Sequence, residues 1–129
     1  MGMDQAINHP QATTPSWPAV RDLLTARGFA VQLRMIDGQL AFPDELPAED
    51  WQELRIGTPQ GMITVRREPG RLRTVTWGNA DVAMRQAWNA VTWAFMQTTG
   101  GSVETPAGPV TAEQFRVQVE LPVGMISSD

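Results

Sequence analysis

The stretch Phe29-Ala30-Val31-Gln32-Leu33-Arg34-Met35-Ile36-Asp37-Gly38-Gln39-Leu40-Ala41-Phe42 holds the clearest structural signal in the chain. Phe29, Val31, Leu33 and Met35 alternate with Ala30, Gln32, Arg34 and Ile36, the period of a strand with one buried face. Asp37-Gly38 supplies a two-residue turn of the type that needs positive φ and matches the twist of a hairpin. That turn pairs Met35 with Leu40 and Leu33 with Phe42. Both pairs then lie on the apolar face, so turn chemistry and hydrophobic pattern agree on one register.

Working outward, residues 43–50 read as an acidic loop or a single helical turn. A meander of three strands follows over 51–56, 62–67 and 72–77, joined by Thr58-Pro59-Gln60-Gly61 and Glu68-Pro69-Gly70. Ile63 and Val65 share a face, as do Val75 and Trp77. Asn79 is placed to cap a long helix running to about Thr98, with Asp81 in its first turn and Gly100-Gly101 ending it. A second hairpin spans 103–110. Thr111 and Gln114 have capping-box spacing, enough for one helical turn over 111–114. Phe115, Val117, Val119 and Leu121 then alternate as a last inward-facing strand, and residues 123–129 form a tail. Upstream, Ser16 and Pro18 start a short helix over 17–27 that Gly28 can close. Residues 1–16 are polar, carry two prolines and show no periodicity, so they read as a flexible tail.

This order of elements predicts one α+β domain over 17–122: an antiparallel sheet, built as a meander with hairpins, packed against one long helix, with a short N-terminal helix. The expected core is Phe29, Val31, Leu33, Leu40, Phe42, Ile63, Val65, Trp88, Val91, Phe95, Val117 and Val119.

Composition narrows the chemistry. The 129 residues contain no cysteine, so disulfides and thiol catalysis are excluded. Lysine is absent as well, which removes Schiff-base chemistry; all ten basic residues are arginine, a bias expected of a GC-rich bacterial genome. The only histidine, His9, lies in the expected tail, so neither a zinc site nor a Ser-His-Asp triad with Ser16, Ser102, Ser127 or Ser128 is expected. The carboxylates Asp44, Glu45, Glu49, Asp50 and Glu53 lack the spacing of a calcium loop and read as a solvated acidic segment. No cofactor or metal is expected, and enzyme activity is disfavoured. No run of 18 apolar residues occurs and the first ten residues lack a secretory pattern, so no membrane span is expected and the location is expected to be cytoplasmic. A net charge of −4 makes nucleic acid an unlikely partner.

Two surfaces remain as candidates. Arg66, Arg67, Arg71 and Arg73 gather around one hairpin tip as a candidate anion-binding group, although ion pairs with the acidic segment explain them more simply. The long helix carries a core stripe of Met84, Trp88, Val91 and Phe95. It also carries a second apolar group, Val82, Trp93 and Met96, on nearly the opposite side at about 100° per residue. The first helix or the C-terminal hairpin could cover that side. Otherwise it is an interface, and these three residues are the candidate surface of a homodimer or of a contact with another protein. The expected function is therefore a non-catalytic protein-interaction module. An anion- or nucleic-acid-binding domain using the arginine hairpin is one alternative, and a small-ligand or enzymatic pocket between helix and sheet is the other.

Overall fold

The computed structural model describes residues 2–10 and 14–122. The expected tail over 123–129 lies outside the described residues. The elements run β1 (Gly2–Asn8), α1 (Trp17–Ala26), β2 (Gln32–Ile36), β3 (Gln39–Leu40), β4 (Glu53–Thr58), β5 (Gly61–Glu68), β6 (Arg71–Trp77), α2 (Val82–Thr99), β7 (Ser102–Thr105), β8 (Gly108–Thr111) and α3 (Ala112–Gln118). The eight strands form one sheet in the order β3-β2-β4-β5-β6-β1-β7-β8, every neighbouring pair antiparallel. The α+β class expected from the order of elements is what the chain adopts.

The largest departure is β1. Residues 2–8 are a strand inside the sheet, not part of a tail. They pair with β6 along their full length and with β7 at Ile7 and Asn8. The strand joins the β2–β6 meander to the β7–β8 hairpin. Ile7 is fully buried, and Gln5 turns its amide toward α2, donating to Asn89 Oδ1 at 3.2 Å and Thr92 Oγ1 at 3.3 Å. A polar residue at an inward position mutes the alternation that marks a strand.

The Asp37-Gly38 turn forms as expected, with φ of 50° and 81°, and it pairs Met35 with Leu40. Asp37 Oδ1 also accepts from the backbone N–H of Gln52 and Glu53 at 2.7 and 2.9 Å, which ties the turn to the start of β4. The faces differ from expectation. Leu33 opposes Ile56, but Met35 opposes Arg55, because Arg34 is an extra residue in a bulge. One inserted residue reverses the side of everything beyond it. Leu33 is therefore in the core, whereas Met35 and Leu40 lie on the other face. β3 ends at Leu40, so Phe42 pairs with nothing. Leu40 is 88% exposed and Phe42 75%.

The C-terminal segment is the second correction. The Thr111–Gln114 capping box forms in both directions and propagates into α3, so residues 112–118 are helical and not a strand. Phe115 remains buried, Val117 faces solvent and Val119 is half-buried. Val31 is also half-buried, while the rest of the expected core, Phe29, Leu33, Ile63, Val65, Trp88, Val91 and Phe95, is buried.

α2 is capped by the Asp81 carboxylate, which accepts from Met84 N at 2.8 Å; the expected cap, Asn79, lies two residues too early. The helix runs across the sheet from β6 to β7 and stops at Gly100. Gly101 then presses on β1 so closely that a Cβ there would meet the Ile7 side chain at 2.6 Å and Asn8 O at 2.8 Å. Residues 87–96 of α2 are buried without interruption. A helix buried all round needs cover on two sides. The sheet supplies one, through Leu33, Leu54, Ile56, Ile63, Val65 and Leu72. The other comes from α1 and the returning segment after α3, where Glu120 O accepts from Asn89 Nδ2 at 2.9 Å and Leu121 is buried.

Candidate functional site: the bare face of the sheet

The expected interface residues take two different positions. Trp93 is 3% exposed and Met96 is fully buried. The Arg27 guanidinium, near the end of α1, sits 5.1 Å from the centre of the Trp93 ring. The chain's own first helix therefore covers this side, and a partner surface at Trp93 and Met96 has no access from solvent. Val82, in the first turn of α2, is half-exposed.

The four hairpin arginines divide between the two faces of the sheet, because neighbours in a strand point opposite ways. Arg67 lies on the covered side over the Trp51 ring at 5.1 Å and donates to Glu49 O at 2.6 Å and Trp51 O at 2.9 Å. Arg66, Arg71 and Arg73 lie on the bare side. Arg66 pairs with Glu53 at 3.1 Å, Arg73 with Glu68 and Asp4 at 3.2 Å each, and Arg71 reaches Asn8 at 3.2 Å and Glu68 at 3.9 Å. Arg66 and Arg73 oppose each other directly across β5 and β6, so these carboxylates also relieve a like-charge pair. The hydrogen bond from Arg73, helped by the charges of Arg73 and Arg71, holds the Glu68 carboxyl below the usual glutamate range. The same contact with Glu68 raises Arg73. This end of the bare face is neutralised by its own ion pairs.

The other end differs. The register places Met35, Arg55, Thr64 and Val75 side by side across β2, β4, β5 and β6, all facing away from α2. Met62 and Trp77 continue the outward rows of β5 and β6, and Trp77 is 58% exposed. Two shallow depressions meet at Met62. One, of about 380 Å³, lies between Arg55, Val75 and Trp77. The other, of about 540 Å³, lies between Arg34, Met35, Leu40 and Phe42. The Arg34 side chain lies across Gly57, where a Cβ would approach its Cγ and Nε at 3.2 Å. A side chain at position 57 would thus displace this arginine. Unlike Arg66, Arg71 and Arg73, Arg34 and Arg55 make no ion pair with any of the described residues.

The result is an apolar strip with two unengaged guanidinium groups on an open sheet face. It offers no nucleophile–base pair, and among the described residues no three His, Cys, Asp or Glu side chains converge as a metal site would require. The signal for this strip was present in the sequence. A tight turn at Pro69-Gly70 sets Thr64 opposite Val75, so Val75 and Trp77 must lie on the face opposite to Ile63 and Val65. Apolar residues at outward positions of a half-solvated sheet are the feature to notice. No protein-family model, curated protein or solved structure matches the chain. Among the described residues, no helix is long and apolar enough to cross a membrane.

Proposed function

We propose that the chain is a non-catalytic protein-interaction module, and that its docking surface is the bare face of the sheet. One observation carries the reading: Arg34 and Arg55, both without ion-pair partners among the described residues, flank half-buried Met62 and exposed Trp77 on a face open to solvent. Large apolar side chains beside arginine are the composition of binding hot spots. Methionine adapts its shape to a partner. The depressions are open and shallow, which suits a protein segment better than an enclosed small molecule.

A photoreactive amino acid at position 62 tests this in cells that make the protein. Light should yield an adduct of defined mass, lost when Arg34 and Arg55 are both changed to Glu. The same probe at Val117, an exposed apolar residue of α3, should yield none. Equal adducts from both positions, or none from position 62, would remove the reading.

A further inference from the structure

We propose that the occupant of this face is a second copy of the chain, with residues 42–50 of each copy seated on the Arg34–Arg55 strip of the other. The proposal rests on the reading of the bare face given above and names its partner. The segment reads Phe-Pro-Asp-Glu-Leu-Pro-Ala-Glu-Asp, four carboxylates with no base. Among the described residues the Asp44, Glu49 and Asp50 carboxylates make no ion pair, the mirror image of Arg34 and Arg55. Phe42 and Leu46 project into solvent from the same segment. They are held there: Glu45 N donates to Phe42 O at 3.0 Å, Phe42 N donates to Glu45 Oε1 at 3.1 Å, and Trp51 N donates to Ala48 O at 3.1 Å. Pro43 and Pro47 restrict the chain further. An ordered segment loses little freedom on docking.

Segment and strip match in both currencies of recognition. Apolar anchors meet an apolar floor, and free carboxylates meet free guanidinium groups, the bidentate pairing that fixes orientation. Because one chain carries both halves, a twofold rotation makes the contact twice. Charge sets the register: two strips face to face would place arginine on arginine unless the acidic segments interleave. The sheet's edge strands are poor alternatives. β3 has two residues and β8 carries Pro109, which blunts edge-to-edge pairing.

Sedimentation of the full chain tests this. The wild type should be a dimer. R34E/R55E and D44R/E49R should each remain folded by circular dichroism and self-associate at least about tenfold more weakly. An equimolar mixture of the two variants should restore the dimer, since each supplies the half the other inverted. A wild type that stays monomeric at high concentration overturns the proposal, as does a dimer indifferent to both variants or a mixture that fails to reassociate. The photoreactive probe at position 62 separates the two readings. An adduct of twice the chain mass supports the second copy. An adduct of any other mass from a monomeric chain overturns the second copy and leaves the docking face standing.

Discussion

The two faces of this sheet are made by the same strands, and they are used in opposite ways. On the covered side Leu33, Leu54, Ile56, Ile63, Val65 and Leu72 are fully buried beneath α2, which is itself roofed by α1 and the segment after α3. On the bare side the alternate residues of those strands are a self-neutralised ionic end and an apolar end with two unengaged arginines. Since consecutive residues serve opposite faces, stability and recognition are separable here one position at a time. Substitutions that respect this division should leave one property untouched.

The largest effect is expected deepest on the covered side. Trp93→Glu should destabilise the fold by about 3–5 kcal/mol, since it removes a buried indole and leaves a buried carboxylate that the neighbouring Arg27 offsets only in part. The readout is thermal or urea unfolding by far-ultraviolet dichroism. A folded, stable variant that merely changes its oligomeric state would mean that Trp93 faces a partner and not α1. Next in size is a pair of residues on opposite faces of the sheet, one in β2 and one in β5. Leu33→Ala should cost about 2–5 kcal/mol through the cavity it leaves, whereas Met62→Ala should cost about 1 kcal/mol or less. Equal losses at the two positions would erase the distinction between the faces.

These contrasts also show what could be read from residues alone. The hairpin at 29–42 announced its turn and the Met35–Leu40 pair, because Asp37-Gly38 allows little else. Its facing was not legible, because a bulge is one residue's choice between two pairings, and the bulged residue, Arg34, is a long side chain that can lie across the surface at Gly57. The long helix and its Met84–Trp88–Val91–Phe95 stripe were legible because their period is local. Whether Trp93 and Met96 met a partner or α1 depends on where α1 docks, a contact between residues more than 60 apart in sequence for the Arg27–Trp93 pair. Residues 2–8 lacked a strand signal because the inward position holds Gln5, whose partners, Asn89 and Thr92, lie on α2. The polar Asn89 on α2 and the missing strand period of the N-terminus are one feature seen from its two ends. For the candidate site, the clue was the meander register, which follows from the Pro69-Gly70 turn, and not any motif.

A smaller effect should sharpen that account. Thr92 Oγ1 contacts Thr74 Oγ1 at 2.7 Å and donates to Trp88 O at 2.8 Å, and it accepts from Gln5. Trp88 Nε1 donates to Thr74 O at 3.1 Å and lies 3.2 Å from Thr74 Oγ1. Thr92→Val should cost about 1–3 kcal/mol, because it leaves polar neighbours short of a partner. Adding Gln5→Met should recover part of the loss, since an apolar pair of similar shape needs no hydrogen bond. Strictly additive losses in denaturant unfolding would show that β1 is not coupled to α2 through this network.

The smallest effect lies at the ionic end of the bare face. Glu68 accepts from Arg73, and that hydrogen bond, with the charges of Arg73 and Arg71, lowers its folded-state pKa. The sign follows from linkage. A carboxyl whose folded pKa lies below its unfolded value contributes stability that is present above the unfolded pKa. That contribution is lost as pH falls through the folded pKa, so the window lies at and below the ordinary glutamate range. The group is solvent-exposed, so the change in overall stability should be slight and further reduced by salt. The local titration is the sensitive measurement. Carboxyl carbon shifts should place the Glu68 midpoint below that of an unstructured glutamate, and Arg73→Gln should return it toward the ordinary range. If Glu68 titrates like a free glutamate in the wild type, its pairing with Arg73 is not maintained in solution. Arg71 would then have no ion-pair partner among the described residues and Arg73 only Asp4. The division of the bare face into a neutralised end and a receptive end would fail with it.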